Sequence, residues 1–168
     1  GVAAAIFVTA IDTEPLAPDV EVVLEGQHGA FERGLAALAR LTDGPVFVCT
    51  VQGSTVPVPD GERLHHEEFT GPHPVGTPGL HIHTLYPAGR GRVVWHVGYQ
   101  DVVAIGRLFE TGQLAVERVV ALSGPMQPEP RLVRSRLGAS TSDMLAPVEP
   151  DPEWRVVSGS LLSGRDAA

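Results

Sequence analysis

The chain of 168 residues carries 43% hydrophobic and 19% charged residues, with a net charge of −8 and a pI near 5.3. This length suits one large domain, or one domain with a small companion, and it suffices for a core, since folding at this size buries roughly 70% of the unfolded surface. The acidic balance argues against a nucleic-acid partner, because phosphate binding needs a basic surface, and no apolar run approaches the ~20 residues that cross a bilayer, which predicts a soluble segment.

Two residue types narrow the chemistry further. All 12 basic residues are arginine, so Schiff-base chemistry and a P-loop lysine are excluded. Cys49 is the one cysteine, which excludes an intrachain disulfide and a cysteine-held iron–sulfur cluster. Charge is uneven: residues 1–115 hold 13 acids and 6 arginines, and residues 116–168 hold 7 and 6. The imbalance predicts two parts with different surfaces.

In chain order, "AAAIFVTAI" (3–11) is a continuous apolar run closed by the proline-rich "DTEPLAPD", and it reads as a buried parallel strand. "GAFERGLAALARLTDGP" reads as a helix, with Phe31, Leu35, Leu38 and Leu41 on one face and Gly44-Pro45 as its stop. "PVFVCTV" (45–51) is a second buried strand, and strand–helix–strand at this spacing is a βαβ unit. "GSTVPVPDGE" is a loop, "RLHHEEF" an edge strand and "GPHPVGTPG" (71–79) a second loop. "LHIHTLY" follows, strand or helix. "RVVWHVGY" (92–99) is a strand, and "QDVVAIGRLFETG" (100–112) a helix with Val102, Ile105, Leu108 and Phe109 on one face. Asp101 suits its positive N-terminal end and Gly112 its stop.

Beyond a boundary near Gly112–Val116 the pattern changes. "VERVVALSGPM", "PRLVRSRLG", "STSDMLAP" and "WRVVSGSLLSG" predict strand, strand, short helix and strand, with Ser140 capping the helix and Asp143 at its third position. A sequence that starts on one core strand and stops just past another is expected to be an excerpt from a longer protein.

The stretch "HHEEFTGPHPVGTPGLHIH" holds five of the seven histidines. In a strand, His81 and His83 would share a face and could chelate a metal, completed by His73, Glu67 or His65. In a helix they diverge by roughly 200° and cannot. Otherwise these histidines hydrogen-bond loop backbone. The loop 71–79 has three prolines, which lack the N–H groups of a phosphate cradle, and no G-x-G-x-x-G follows any strand. Cys49 lies within a buried strand and reads as a small core hydrophobe. Ser160 is outside any G-x-S-x-G elbow. Glu67 and Glu68 would point to opposite faces of a strand, so they make no acid–base pair. Arg131, Arg134 and Arg136 form the one basic cluster. They read as a solvated edge, or as a docking surface for an acidic partner or headgroups.

The segments "AIFVTAIDTEPLAP", "GPHPVGTPGLHIHTLYP", "VVWHVGYQDVVAIGRLFETGQL", "ERVVALSGP", "PRLVRSRLGAS" and "RVVSGSLLSG" together resemble the A subunits of the Na+-translocating NADH:quinone oxidoreductases. The likeness runs through nearly the whole chain and corresponds to the middle of that subunit. It implies an α/β fold: a Rossmann-like domain over residues 1–115, similar to the NADH-binding subunit of complex I, followed by a soluble-ligand-binding β-grasp domain over 116–168. Through the related C subunit of the Rnf complex it also favours a helix for "LHIHTLY".

The implied function is a peripheral, cytoplasmic-side part of a membrane complex of the bacterial inner membrane. That complex carries electrons from NADH to ubiquinone through flavins and iron–sulfur centres and pumps Na+. The A subunit carries no tightly bound redox cofactor in this reading. Its partners are the other subunits, above all the membrane-embedded flavin-carrying ones. A non-catalytic scaffold is the leading expectation. A quinone or small-ligand module using His73, Gly76, Gly79, His81 and Trp95 is the second, and a histidine metal site the third.

Overall fold

The computed structural model describes residues 2–145 and 153–167. Its elements are β1 (Ala5–Ala10), α1 (Val20–Leu24), α2 (His28–Leu38), β2 (Val46–Val51), β3 (Leu64–Phe69), α3 (Pro78–Leu85), β4 (Val94–Gly98), α4 (Tyr99–Thr111), β5 (Glu117–Leu122), β6 (Arg131–Arg136), α5 (Thr141–Leu145), β7 (Val157–Ser158) and β8 (Arg165–Asp166). They form a mixed α/β structure with one parallel sheet and two small antiparallel ones. The chain separates into two compact units, Gly1–Thr13 with Asp19–Ala115, and Glu14–Pro18 with Val116–Ala168.

The first unit is built on a four-stranded parallel sheet of order β3-β2-β1-β4. β1 is apolar throughout because both of its faces are covered. Ile6, Val8 and Ala10 pack with Phe31, Leu35 and Leu38 of α2 and Val102 and Val103 of α4. Ala5, Phe7 and Ile11 turn to the other face, where Ile82 and Leu85 of α3 meet them. No helix joins β2 to β3. The proline-rich connection instead sends Val56 and Val58 into the core in a helix's place. Glu21 of α1 fixes that connection by accepting from the Thr55 amide at 2.7 Å, the Ser54 hydroxyl at 2.8 Å and the Thr55 hydroxyl at 2.9 Å. These bonds, the Thr55 amide first, hold its carboxyl below the usual range.

α2 and α4 cross backbone to backbone. A Cβ at Gly34 would lie 2.0 Å from the Val102 carbonyl oxygen, and one at Gly106 would lie 1.8 Å from that of Ala30. Arg33 meets Glu110 at 2.6 Å and Arg107 donates to Gln27 at 2.7 Å across the same pair of helices. Gly112 closes α4 with φ 70°, its amide bonded to the Leu108 carbonyl.

Several expectations need correction. α2 ends at Leu38, with Ala39 as its C-cap, well before Gly44-Pro45, and Leu41 is exposed rather than on the buried face. Phe109 is 72% exposed and Leu108 39%; the buried face of α4 is Val102, Val103 and Gly106, because the glycine rather than a large side chain meets α2. α1 lies where no helix is expected. Its start is set by Asp19, which accepts from the Glu21 amide at 2.8 Å.

The second unit contains the antiparallel hairpin β5–β6, in register from Glu117↔Arg136 to Leu122↔Arg131. α5 follows, with the Asp143 amide 3.4 Å from the Ser140 hydroxyl. The strand expected across 154–164 is instead two short strands, β7 and β8, because Gly159 (φ 101°) and the turn at 161–163 reverse the chain. No described residue of this unit is buried.

Gly34→Ala is expected to destabilise the first unit by about 1–3 kcal/mol through overpacking against Val102. Gly29→Ala, on the same helix but facing only the flexible Arg33 side chain, is expected to stabilise it by about 0.5–1 kcal/mol. Urea denaturation of the two variants checks the opposite signs.

Candidate functional site

In open parallel sheets ligands settle beyond the carboxyl ends of strands, where the strand order reverses. Here that point lies between β1 and β4. The chain leaves β1 towards β2 and β3, then returns through α3 on the other face to β4. The backbone beyond β1 is Ile11, Asp12 and Thr13, and the loop 71–77 from the end of β3 reaches it.

One hydroxyl makes the connection. Thr13 Oγ1 accepts from the Gly76 amide at 3.0 Å and lies 3.2 Å from His73 Nδ1. A Cβ at Gly76 would stand 2.7 Å from the Thr13 nitrogen and 2.8 Å from its hydroxyl, so only glycine permits this approach. Within the same loop the His73–Pro74 peptide is cis.

α3 starts just after the loop, with Pro78 in its first turn. Its His81 is fully buried and packs on Phe69, ring centroids 4.4 Å apart. His81 Nε2 is 2.7 Å from the Val75 carbonyl. A carbonyl only accepts, so Nε2 carries the proton. Nδ1 is then a bare acceptor, buried and with no hydrogen-bond partner. Burial lowers the His81 pKa, with the Val75 carbonyl pulling the other way, so the ring is neutral near pH 7.

The histidine cluster of the sequence is dispersed. Because "LHIH" is helical, His83 is exposed while His81 is buried, and the two cannot share an ion. His65 is exposed on β3 beside Phe47, and His66 bonds to the Thr50 hydroxyl at 2.7 Å on the other face. Glu67 pairs in register with Cys49, whereas Glu68 accepts from the Gly53 amide at 2.6 Å. Among the described residues no three histidine, cysteine or carboxylate side chains converge as metal ligands would.

Of the five residues expected at a ligand loop, His73, Gly76 and, through Val75, His81 come together. Gly79 is exposed in the first turn of α3, with nothing within 4 Å of the position of a Cβ. Trp95 pairs with Ile6 near the start of β4, on the face opposite α3 and away from the loop. Thr13, the residue that organises the loop, has no signature in the sequence.

The other candidates have structural partners. Cys49 is buried, and burial together with the nearby Glu67 charge pushes its thiol up to about 12. In the second unit Ser160 donates to the Glu14 carboxylate and accepts from the Leu162 amide. Arg134 pairs with Glu117 at 2.9 Å, and Arg131 donates to the Glu129 carbonyl at 3.2 Å.

Thr13→Val is expected to speed amide exchange at Gly76 about five-fold, the loss of about 1 kcal/mol of hydrogen bonding, as read by hydrogen-exchange mass spectrometry. His81 predicts a pH dependence. Its ordinary pKa is 6.5 and its folded value is lower. Below pH 6.5 the unfolded chain therefore takes a proton that the folded chain refuses, so stability falls as pH falls from about 7.5 towards about 5.5. His81→Gln should flatten that slope in urea titrations at the two pH values.

Two family models match the chain: the NqrA second alpha/beta domain over residues 2–114 and the NQRA C-terminal domain over residues 119–168. Curated relatives, each named as the A subunit of a Na(+)-translocating NADH-quinone reductase, are similar along almost all of it. The Shewanella denitrificans protein is 52% identical over 166 residues, covering 99% of this chain and 37% of the relative. The Cellvibrio japonicus protein is 51% identical over 160 residues, covering 95% and 36%, and that of Marinomonas sp. 52% over 162 residues, covering 96% and 36%. The chain thus spans little more than a third of the length of these relatives. With both family models matched in order along the sheet unit and the hairpin unit, the chain belongs to the family of the A subunits of the Na(+)-translocating NADH-quinone reductases.

Proposed function

We propose that this chain is a non-catalytic scaffold within the A subunit of a Na+-pumping NADH:ubiquinone reductase. It takes part in electron transfer from NADH to ubiquinone by holding shape rather than by carrying electrons. We assign residues 1–115 a Rossmann-like domain and 116–168 a β-grasp domain. Their partners are the other subunits of the complex, especially the membrane-embedded flavin-carrying ones, and the subunit sits peripherally on the cytoplasmic side of the inner membrane. No described helix is long and apolar enough to cross a membrane, in keeping with a peripheral place.

The observation that carries this reading is the loop 71–77 lying against the end of β1. The Thr13 hydroxyl takes the Gly76 amide, a donor of the kind that would otherwise face a ligand. A second feature agrees. Asp101 places a carboxylate in the first turn of α4, where a dinucleotide would bring its phosphate. Bringing two anions to one helix end is repulsive.

A quinone-binding module is the second reading, favoured by the half-buried His73 at the tip of the loop. Quinone carbonyls need donors. His81 does not serve, because its proton is already given to Val75 and its Nδ1 only accepts.

Calorimetry of the purified chain with flavin mononucleotide, NADH and a short-chain ubiquinone tests both readings. The scaffold predicts no heat with the first two and no NADH-driven quinone reduction. Stoichiometric flavin binding, or reduction by the chain alone, refutes it. Quinone heat that His73→Ala abolishes would install the second reading, and silence from both proteins would remove it.

A further inference from the structure

At the opposite end of the sheet from the loop 71–77, four side chains form one continuous surface. Phe47 and His65 are the second residues of β2 and β3, and Tyr86 caps α3. Phe47 stands 5.0 Å from the buried Phe7, 5.5 Å from His65 and 6.4 Å from Tyr86, ring centroid to ring centroid. Arg92 lies over the Tyr86 ring, its guanidinium carbon 5.1 Å from the centroid. Phe47 and Tyr86 are half-buried, while His65 and Arg92 are exposed.

The backbone braces this arginine. The Gly89 amide donates to the Arg92 carbonyl at 3.2 Å, and the Arg92 amide to the Gly89 carbonyl at 2.9 Å. Gly91, with φ 80°, closes the turn, and Arg90 stands exposed within it. The Tyr86 ring fixes the position of the Arg92 guanidinium without occupying its five N–H donors as a hydrogen-bond acceptor would. Among the described residues neither guanidinium of the turn meets a carboxylate or another hydrogen-bond acceptor. The surrounding sequence supplies no acid. Residues 69–100 hold these two arginines and no Asp or Glu, whereas the rest of the chain holds 20 acids and 10 arginines. A positive turn in an acidic chain, without an intramolecular partner, suits an anionic ligand.

Three kinds of anion meet paired arginines, and the surroundings separate them. A phosphate cradle needs converging backbone amides. Here the Gly89 and Arg92 amides are bonded within the turn, and Pro87 has none. A bilayer needs several basic residues and apolar side chains that enter it. Besides its two arginines the turn 89–92 holds only glycines, on a chain of net charge −8. A carboxylate asks only for the guanidinium fork, which it meets with two parallel bonds. A lone exposed ion pair is weak, so the ligand must also use the rings beside Arg92. Glu67 sets its direction. It shares the ring-bearing face of β3, two residues after His65, so acids belong at the turn and apolar side chains over Tyr86 and Phe47.

We propose that Arg90, Arg92, Tyr86 and Phe47 form a docking surface for an acidic peptide segment of a partner protein. Its carboxylates meet the two arginines, and an adjoining apolar side chain covers the two rings. The surface lies at the other end of the sheet from the loop 71–77, so it is independent of the scaffold and quinone readings.

NMR titration of the isotope-labelled 168-residue chain with the synthetic peptide Glu-Asp-Glu-Phe-Ile-Phe tests this. The Gly89, Gly91 and Phe47 amides should shift with a Kd below about 1 mM in about 50 mM salt. The control peptide Gln-Asn-Gln-Phe-Ile-Phe should bind about ten-fold more weakly. Arg92→Gln should weaken the acidic peptide by about five- to ten-fold. Tyr86→Leu keeps every charge but unseats Arg92, and should weaken it about three-fold. Arg40→Gln removes the same charge just after α2 and should change Kd by less than about 1.5-fold. Unshifted amides elsewhere in each spectrum show that the variant is folded. Absence of these shifts in the wild-type chain overturns the proposal. So does equal loss in Arg40→Gln and Arg92→Gln, which marks unspecific attraction. Inorganic phosphate or phosphatidylserine vesicles that shift the turn while the peptide does not, or a dimer that Arg92→Gln dissolves, also overturn it, because each hands the turn to another occupant.

Discussion

The contact between Gly34 and Val102, with its counterpart between Gly106 and Ala30, sets the geometry of the first unit. Two helices that meet without a Cβ between them cannot slide or tilt without a clash. α4 begins at Tyr99, directly after β4 ends at Gly98, so the helix crossing also fixes that strand. β4 in turn lies beside β1, with Thr9 opposite Gly98. The reversal of strand order between β1 and β4 is therefore a rigid feature, and whatever fills the space beyond it meets a stiff frame.

In this protein the loop 71–77 comes to that frame, and the threonine hydroxyl, the glycine amide and the histidine there satisfy one another. In the proposed scaffold reading, a parallel sheet whose loop groups have turned inwards presents surfaces to other subunits. In the scaffold reading, chemistry rests with cofactors held elsewhere in the complex.

Much of the frame is legible in the sequence because of burial. β1 and β2 are covered on both faces, so their apolar runs have no competing explanation. The edge position of β3 is visible in its polar residues. Periodicity misleads where it counts apolar residues without knowing their neighbours. Phe109 fits a helical face, yet the residue that packs there is Gly106, which a pattern of large side chains passes over. In the 154–164 stretch the valines and leucines suggest a strand, but the glycine and serine turn signals among them decide the backbone. Spacing alone leaves "LHIH" open between strand and helix; the family resemblance points to the helix. Thr13 is invisible because its partners lie 60 and 63 residues away, and nothing local distinguishes it from any threonine after a strand.

Cys49 has a use that its chemical inertness supplies. The thiol lies in the central part of the sheet, paired in register with Thr9 and Glu67, and no solvent reaches it. With its proton held to about pH 12, it cannot react while the sheet is closed. It is also the only sulfhydryl in the chain. An alkylating reagent therefore acts as a clock for the first unit, and each labelled molecule records one separation of β1, β2 and β3.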